Sequence, residues 1–541
     1  MGFQRFSLFQ FVPARRAAGL AMVCLSIGFT SPSTHARPPE SVKTVQNKSK
    51  QSESQQTGQE TLNAEQRADR LLSRLNTMQR EVDQSARKLS LEEAIAIGIR
   101  NNPDLVSAFR SIQNYEWQLI AAQRQWYPTL EISSGDPTIG LDVYTYAYRY
   151  YNDPDRTSVS GTPNETEDAV TSTSEYQNTW NLQPTASISW NFIDVTRQPD
   201  INAASEALRQ QKLLFEVSAR ELILDIQSSY FTLQSISQLI DDYRKIYDIN
   251  RRLLETNRRR YEIRLVSKLD VAQSQTQLYN QLNQLLGYTK QFIEESAMLA
   301  KRLGLPPDVL ALPDEKANLY RDWAMTLPQT IERALESREE ILASLAAAEE
   351  ARWEGISKMN SYWPVFSLYA EGGVVMESGV INGTPGLDNS LDEQLFTTWD
   401  GAVGVGFEWA WDGGIDAATA RADYAEEQME RSKARMNRLE AVQQVRSSYG
   451  QYQTSLVAVD SARLAYQSAQ VAQEAARARY AIGLGDITTI VQTIDQLGTA
   501  SISLSDSILS YNNAVAQLYR YSATWPGDSN QLLRQQEKSL R

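Results

Sequence analysis

The chain has 541 residues, 42% hydrophobic and 22% charged, with 26 Gly and 18 Pro, a composition that excludes collagen, extreme low complexity and a disulfide-held mini-protein. Acidic residues outnumber basic ones 66 to 53, for a formal charge of −13, which argues against an electrostatic nucleic-acid partner. The only Cys and the only His are Cys24 and His35.

Arg5, Arg15 and Arg16 precede the apolar run Ala17 to Thr30, and Thr34-His35-Ala36 has the small-residue pattern of a cleavage site. Residues 1–36 therefore read as a secretory signal peptide. The run is shorter than the roughly 20 residues a spanning helix needs. Ala21-Met22-Val23 lacks the small residue expected just before a lipidated Cys. Cleavage after Ala36 removes three Arg and no acidic residue, taking the charge to −16, and removes Cys24 and His35. Ser-His-Asp and Cys-His nucleophile systems, His/Cys zinc sites and His or Cys haem ligation cannot be built from the remainder. The glycines Gly401, Gly404 and Gly406 lie inside a strand-like alternation and lack the third glycine of a dinucleotide fingerprint. No catalytic residue, metal ligand or cofactor is expected. An envelope hydrolase with paired carboxylates would need a compact frame that the sequence does not offer.

Residues 37–88 form a polar, partly disordered extension: up to about residue 60 the chain is rich in Ser, Gln, Lys and Pro, too poor in large apolar residues to offset ordering entropy. Leu62 to Val82 reads as an amphipathic helix with Leu71, Leu72, Leu75 and Met78 on one side. From residue 89 the chain repeats itself, as a first repeat (89–306), a linker (307–326), a second repeat (327–526) and a polar tail (527–541). Trp126-Tyr127-Pro128 matches Tyr362-Trp363-Pro364 at an offset of 236, whereas Trp190 with Trp409, and Tyr230 with Tyr449, match at 219. The difference of 17 assigns a longer insertion to the first copy, between its two strands.

Each copy reads helix, strand, polar loop, strand, very long helix, short turn, helix. Ala186, Ile188, Trp190 and Phe192 alternate with polar residues, as do Val403, Val405, Phe407, Trp409 and Trp411 with Gly404, Gly406, Glu408 and Ala410, giving each strand one apolar face. Leu130 and Ile132, and Phe366, Leu368 and Ala370, supply the partner strands. Asp153-Pro154 and Asn382-Gly383 mark turns, and alternation of Tyr144, Tyr146, Tyr148 and Tyr150 predicts that the first hairpin extends as a ribbon. From about Asp200 to Tyr261 and from Asp416 to Tyr480 the only Gly or Pro is Gly450, which predicts helices roughly 90 to 95 Å long. Helices of that length need other long helices beside them. The shorter helix up to Leu303 and the one from Leu91 to Trp126 together match one long helix, as if stacked end to end.

Four half-apolar strands cannot close a barrel, because open edges in lipid leave backbone groups unsatisfied. Several chains must share one barrel; three would supply about 12 strands around a wet lumen faced by Ser187, Glu371 and Glu408. Trp190, Phe192, Trp409 and Trp411 are then an interfacial aromatic girdle. A coiled-coil scaffold or adaptor without a pore is the alternative; it leaves the strands without a purpose.

The duplicated plan, the aromatic-Pro strand starts, Trp409-Ala410-Trp411-Asp412-Gly413-Gly414, and the twin turns Tyr261-Glu262-Ile263-Arg264-Leu265 and Tyr480-Ala481-Ile482-Gly483-Leu484 resemble the TolC-like outer membrane efflux protein family, over nearly all of Leu91 to Trp525. The resemblance implies a mostly α fold with a transmembrane β-barrel: a homotrimeric 12-stranded barrel in outer membrane lipid, continuing into an α-helical periplasmic tunnel. It implies an exit duct of tripartite efflux or type I secretion, not an enzyme, working with a periplasmic adaptor (membrane fusion) protein and an inner membrane transporter of RND, MFS or ABC type. By the same resemblance Ile263, Arg264, Leu265, Val266 and Ser267, with Ile482, Gly483, Leu484 and Gly485, form the adaptor-docking tip, although Arg264 stands where the family usually has Gly. The family's acidic constriction falls at Thr489 and Gln492, so Asp486 or Asp495, on neighbouring turns, is expected to carry the charge.

Overall fold

The computed structural model describes residues 64–134, 138–149, 170–381 and 393–541. The signal peptide, residues 37–63, Tyr150 and the turn signals Asp153-Pro154 and Asn382-Gly383 lie outside the described residues. Helix α1 (Ala64–Ser85) leads into strand β1 (Ala86–Leu89). The first repeat then runs α2 (Leu91–Asn101), α3 (Pro103–Arg124), β2 (Thr129–Ser133), β3 (Thr138–Arg149), β4 (Val170–Leu182), β5 (Thr185–Ile193), α4 (Arg197–Glu262) and α5 (Lys268–Leu303). After β6 (Leu310–Pro313) the second repeat runs α6 (Leu327–Ser337), α7 (Glu339–Asn360), β7 (Val365–Ile381), β8 (Glu393–Glu408), α8 (Ile415–Ala481) and α9 (Ile487–Tyr521). Helix α10 (Ser529–Leu540) ends the chain.

The helix expected from Leu91 to Trp126 is two helices. Pro103 opens α3 where its missing N–H costs nothing. Asn102, extended at φ −63° and ψ 122°, accepts from Leu105 N (3.0 Å) and donates to Arg302 O (2.9 Å). That second bond joins α3 to the end of α5. Gly304 turns the chain there at φ +64°, where an added Cβ would lie 2.4 Å from Asn101 O. The second repeat breaks at Arg338, also extended, at φ −73° and ψ 120°. With 66 and 67 residues, α4 and α8 are each about 100 Å long. Helix α4 packs against α3 and α5 and also against α7 and α9, whereas α8 packs against α6, α7 and α9. The four columns are therefore α2/α3/α5, α4, α6/α7/α9 and α8, and the short helices do stack in pairs beside the long ones.

The polar stretches between the strands are largely strand themselves. β3 pairs with β4 from Thr138↔Asn181 to Arg149↔Val170, which continues the first hairpin as a ribbon, and β7 and β8 pair from Val365↔Glu408 to Val380↔Glu393. The sheet is antiparallel in the order β2/β3, β4/β5, β7, β8. Its register aligns Leu130, Ile188, Ala370 and Val403 on one face and Glu131, Ser187, Glu371 and Ala402 on the other. Gly401, Gly404 and Gly406 lie within β8, where Gly404 leaves room for the Tyr369 ring. None of them opens a helix.

Residues 64–89 are integral to the helical body. Leu75, Val82 and Leu89 are buried in its main core, and Tyr230 OH donates to Leu89 O (3.2 Å). β1 pairs in parallel with β6. In α1, Leu71 and Met78 stay exposed, so the apolar side inferred from sequence is only half covered. The tail is also ordered: α10 buries Leu533 in the same core. Among the described residues no helix is long and apolar enough to cross a membrane.

Candidate functional site

The two turns joining long to short helices lie side by side at one end of the columns. Arg260, in the last turn of α4, donates through Nη1 to Tyr480 O (3.1 Å) and through Nη2 to Ala481 O (2.9 Å), and its guanidinium lies 4.9 Å from the Tyr480 ring centre. These carbonyls end α8 and have no helical partner, so a cation of one repeat caps the negative helix end of the other. Tyr480 OH donates to Asn257 Oδ1 (2.5 Å), and Asn257 Nδ2 donates to Ser274 Oγ (3.0 Å). Burial raises the Tyr480 pKa, keeping that hydroxyl a donor. Sequence reasoning missed Arg260 and Asn257; a basic residue in the last turn of α4 was the available signal.

Around this link the expected docking residues are solvent-facing. Ile263, Leu265, Ile482 and Leu484 are each about two-thirds exposed or more, a level unusual for large apolar side chains. Arg264, Ser267 and Gly483 are exposed, and Val266 and Gly485 half-buried. Arg264 has φ +61° at the position where the second turn has Gly483 at φ +78°, so the first turn takes the same left-handed backbone shape with a side chain attached. Ser267 caps α5 reciprocally with Asp270, through Asp270 N to Ser267 Oγ (3.2 Å) and Ser267 N to Asp270 Oδ2 (2.8 Å).

The structure separates the four expected constriction residues. Asp486 and Thr489 line one groove of about 600 Å³ with Arg479, Gly483 and Leu484. The Thr489 hydroxyl donates to Asp486 Oδ1, and this bond lowers the carboxyl pKa, so Asp486 holds its charge. Asp495 is elsewhere, accepting from Gln277 Nε2 of α5. Gln492 is exposed.

At the opposite end, Trp190 Nε1 donates to Trp126 O (3.0 Å) and Trp409 Nε1 donates to Tyr362 O (3.1 Å). The two bonds are equivalent in the two repeats, and all 17 extra residues of the first copy lie between their ends. Phe192 is half-buried, 6.2 Å from Trp190 by ring centres and 6.5 Å from Phe366. Trp409 and Trp411 lie just beyond the end of β8 and are exposed, as are Trp126, Tyr127 and Trp363. The apolar sheet face is bare: Leu130, Ile132, Val403, Val405 and Phe407 are all more than 60% exposed.

Helix α8 carries two stripes of sevenfold spacing. Ala420, Glu427, Ala434, Ala441, Ser448, Ser455, Ala462 and Ala476 are buried within the chain. On the opposite face Met429, Met436, Val457, Leu464 and Val471 are exposed. A seven-residue repeat on both faces is the pattern of a helix meant to pack on two sides, of which one is satisfied here.

Residues 99–305 match the outer membrane efflux protein family. No curated protein matches the sequence. Among solved structures, the chain is similar to the Campylobacter jejuni CmeC outer membrane channel (15% identity, 83% of this chain and 90% of that one, TM-score 0.62). It is also similar to the Vibrio cholerae outer membrane protein VceC (15%, 80% and 96%, 0.58) and to the Neisseria gonorrhoeae MtrE outer membrane channel in its open state (14%, 80% and 89%, 0.56). Residues 99–305 thus resemble the outer membrane efflux protein family, and the chain as a whole has the TolC-like outer membrane channel fold.

Proposed function

We propose that the protein is the passive outer membrane exit duct of a tripartite efflux system, assembled as a homotrimer. One observation carries the reading: both layers stop at the same two columns. The sheet ends at β2/β3 and β8, the helical layer ends at α2/α3/α5 and α8, and β2 follows α3 as β8 leads into α8. A chain with matching open flanks in both layers is one stave of a closed wall, and about 12 strands from three copies close a barrel wide enough for water. The exposed sevenfold stripe of α8 supplies the seam against a neighbouring copy, and the bare apolar sheet face supplies the lipid contact.

The exposed apolar turns at the far end suit an adaptor protein, which links the duct to an inner membrane transporter. The partner supplies energy and chooses the cargo. The duct catalyses nothing, and its acidic lumen favours cations. Detergent-purified protein should have the mass of three chains and form cation-selective channels in planar bilayers. A folded monomer that stays soluble without detergent, or anion-selective conductance, refutes this reading.

A further inference from the structure

The end of the helical body that carries the two turns differs in charge from the rest of the chain. Residues 251–270 and 471–490 hold nine basic and five acidic residues, a net charge of +4, in a chain whose formal charge is −13. Part of this surplus belongs to the fold. Arg259 and Arg260 lie in the last turn of α4 and Arg479 in that of α8, where cations offset the negative helix ends. Arg264 and Lys268 of the first turn have no such reason. Arg264 sits at φ +61°, a backbone region that L side chains disfavour. Lys268 is the first residue of α5, at the positive end of that helix.

The second turn shows that the bend does not require these cations. At the repeat offset of 219, Gly483 and Ile487 stand where Arg264 and Lys268 do. Gly483 keeps the left-handed backbone, and Ile487 begins α9 as a buried core residue. Arg264 and Lys268 are both exposed, and neither makes an ion pair or a side-chain hydrogen bond among the described residues. Against them and the half-buried Arg258 the first turn sets Glu262 and Asp270, and the Asp270 carboxylate is held by the Ser267 cap. Ile263 and Leu265, on either side of Arg264 in sequence, are 66% and 71% exposed. Exposed cations beside exposed apolar side chains, placed where backbone and helix dipole oppose them, suit contact with something that brings carboxylates and apolar area together.

We propose that the partner segment received at this end is acidic: a protein hairpin or loop whose apolar side chains meet Ile263, Leu265, Ile482 and Leu484 and whose Asp or Glu carboxylates face Arg264 and Lys268. The proposal rests on the reading of this end as the docking end. The difference between the turns favours a folded partner over an anionic lipid surface. A bilayer face meets both turns alike, whereas a protein can set carboxylates against one turn and apolar groups against both. The unlike charges then speed encounter and fix which turn the acidic part of the segment meets.

Fluorescence anisotropy of the detergent-purified protein with a labelled synthetic helical hairpin, its loop alternating Leu and Glu, tests this against twins with Gln or Lys in place of Glu. The Glu hairpin should bind most tightly and lose affinity as salt rises from about 50 to about 300 mM. Arg264→Gly combined with Lys268→Gln should weaken it about tenfold, the worth of two exposed ion pairs, while the variant keeps the mass of the wild-type assembly. Arg477→Gln, which removes an exposed cation of α8, should cost no more than about twofold. A Gln or Lys twin that binds as well as the Glu hairpin, or an equal loss in Arg477→Gln, overturns the proposal. So does binding to phosphatidylglycerol vesicles that falls in the double variant while hairpin binding does not. Channel formation in planar bilayers tests the duct itself, so intact channels with no preference for the Glu hairpin overturn this proposal alone.

Discussion

The Arg260 clasp can be removed without substituting any core residue. Arg260→Ala deletes two bonds to the carbonyls of Tyr480 and Ala481 and the contact with the Tyr480 ring. Arg260 is half-buried, so its bonds are weaker than buried charge-assisted ones. A cation at a helix C-terminus contributes about 0.3 to 1 kcal/mol and a net hydrogen bond about 0.5 to 1.5 kcal/mol. Together they give a local loss of about 1.5 kcal/mol, roughly tenfold in the opening equilibrium of the second turn. The reporters are the amides of Gly483 and Leu484, which donate to Tyr480 O (3.1 Å) and Arg479 O (2.9 Å). Native-state hydrogen exchange should show about tenfold less protection at both in Arg260→Ala, with part restored in Arg260→Lys. Arg259→Ala is the control, because Arg259 pairs with Glu255 on its own helix and both are exposed. Protection in Arg260→Ala within twofold of wild type would refute the clasp.

Arg264→Gly relieves a side chain held at φ +61° and should stabilise the first turn, whereas Gly483→Ala, at φ +78°, should destabilise the second by about 1 kcal/mol; thermal midpoints of the pair should move in opposite directions. If Asp486 charges the constriction, Asp486→Ala lowers cation preference and divalent-cation block in single-channel recordings, and Asp495→Ala, which also frees Gln277, raises conductance; no change in either variant removes both from the constriction. Burial, with the carboxylates of Glu354, Glu426 and Glu206, pushes Glu350 up to about 7. The folded state holds that proton to higher pH than the unfolded one, so this group's contribution is most favourable below about 4.5 and is lost as pH rises toward 7. Glu350→Gln should therefore flatten the decline of thermal midpoint between pH 5 and pH 8, and an unaltered decline would assign it to other groups.

Local periodicity and duplication are legible in the amino-acid order alone. The twofold alternation around Trp190 and Trp409, the Gly- and Pro-free runs that become α4 and α8, and the 17-residue difference between repeats were all legible, because strands, helices and insertions each leave a pattern within a short window. The breaks at Asn102 and Arg338 were less so, since apolar spacing continues across them and only the stacked end of α5 or α9 gives the break its partner. Polar stretches read as loops became strand because their pairing partner, not their composition, satisfies the backbone.

Which charged and polar residues act together depends on how the columns pack. Arg260 and Tyr480 are 220 positions apart, Gln277 and Asp495 are 218, and Arg220 meets Glu339 across 119. Such pairs carry no periodicity, so nothing in a single sequence distinguishes them from solvated surface charges. Burial likewise sorted the two sevenfold stripes of α8 into one face used within the chain and one left open. The spacing of a stripe is written in the chain, but which stripe is covered depends on where the other columns lie.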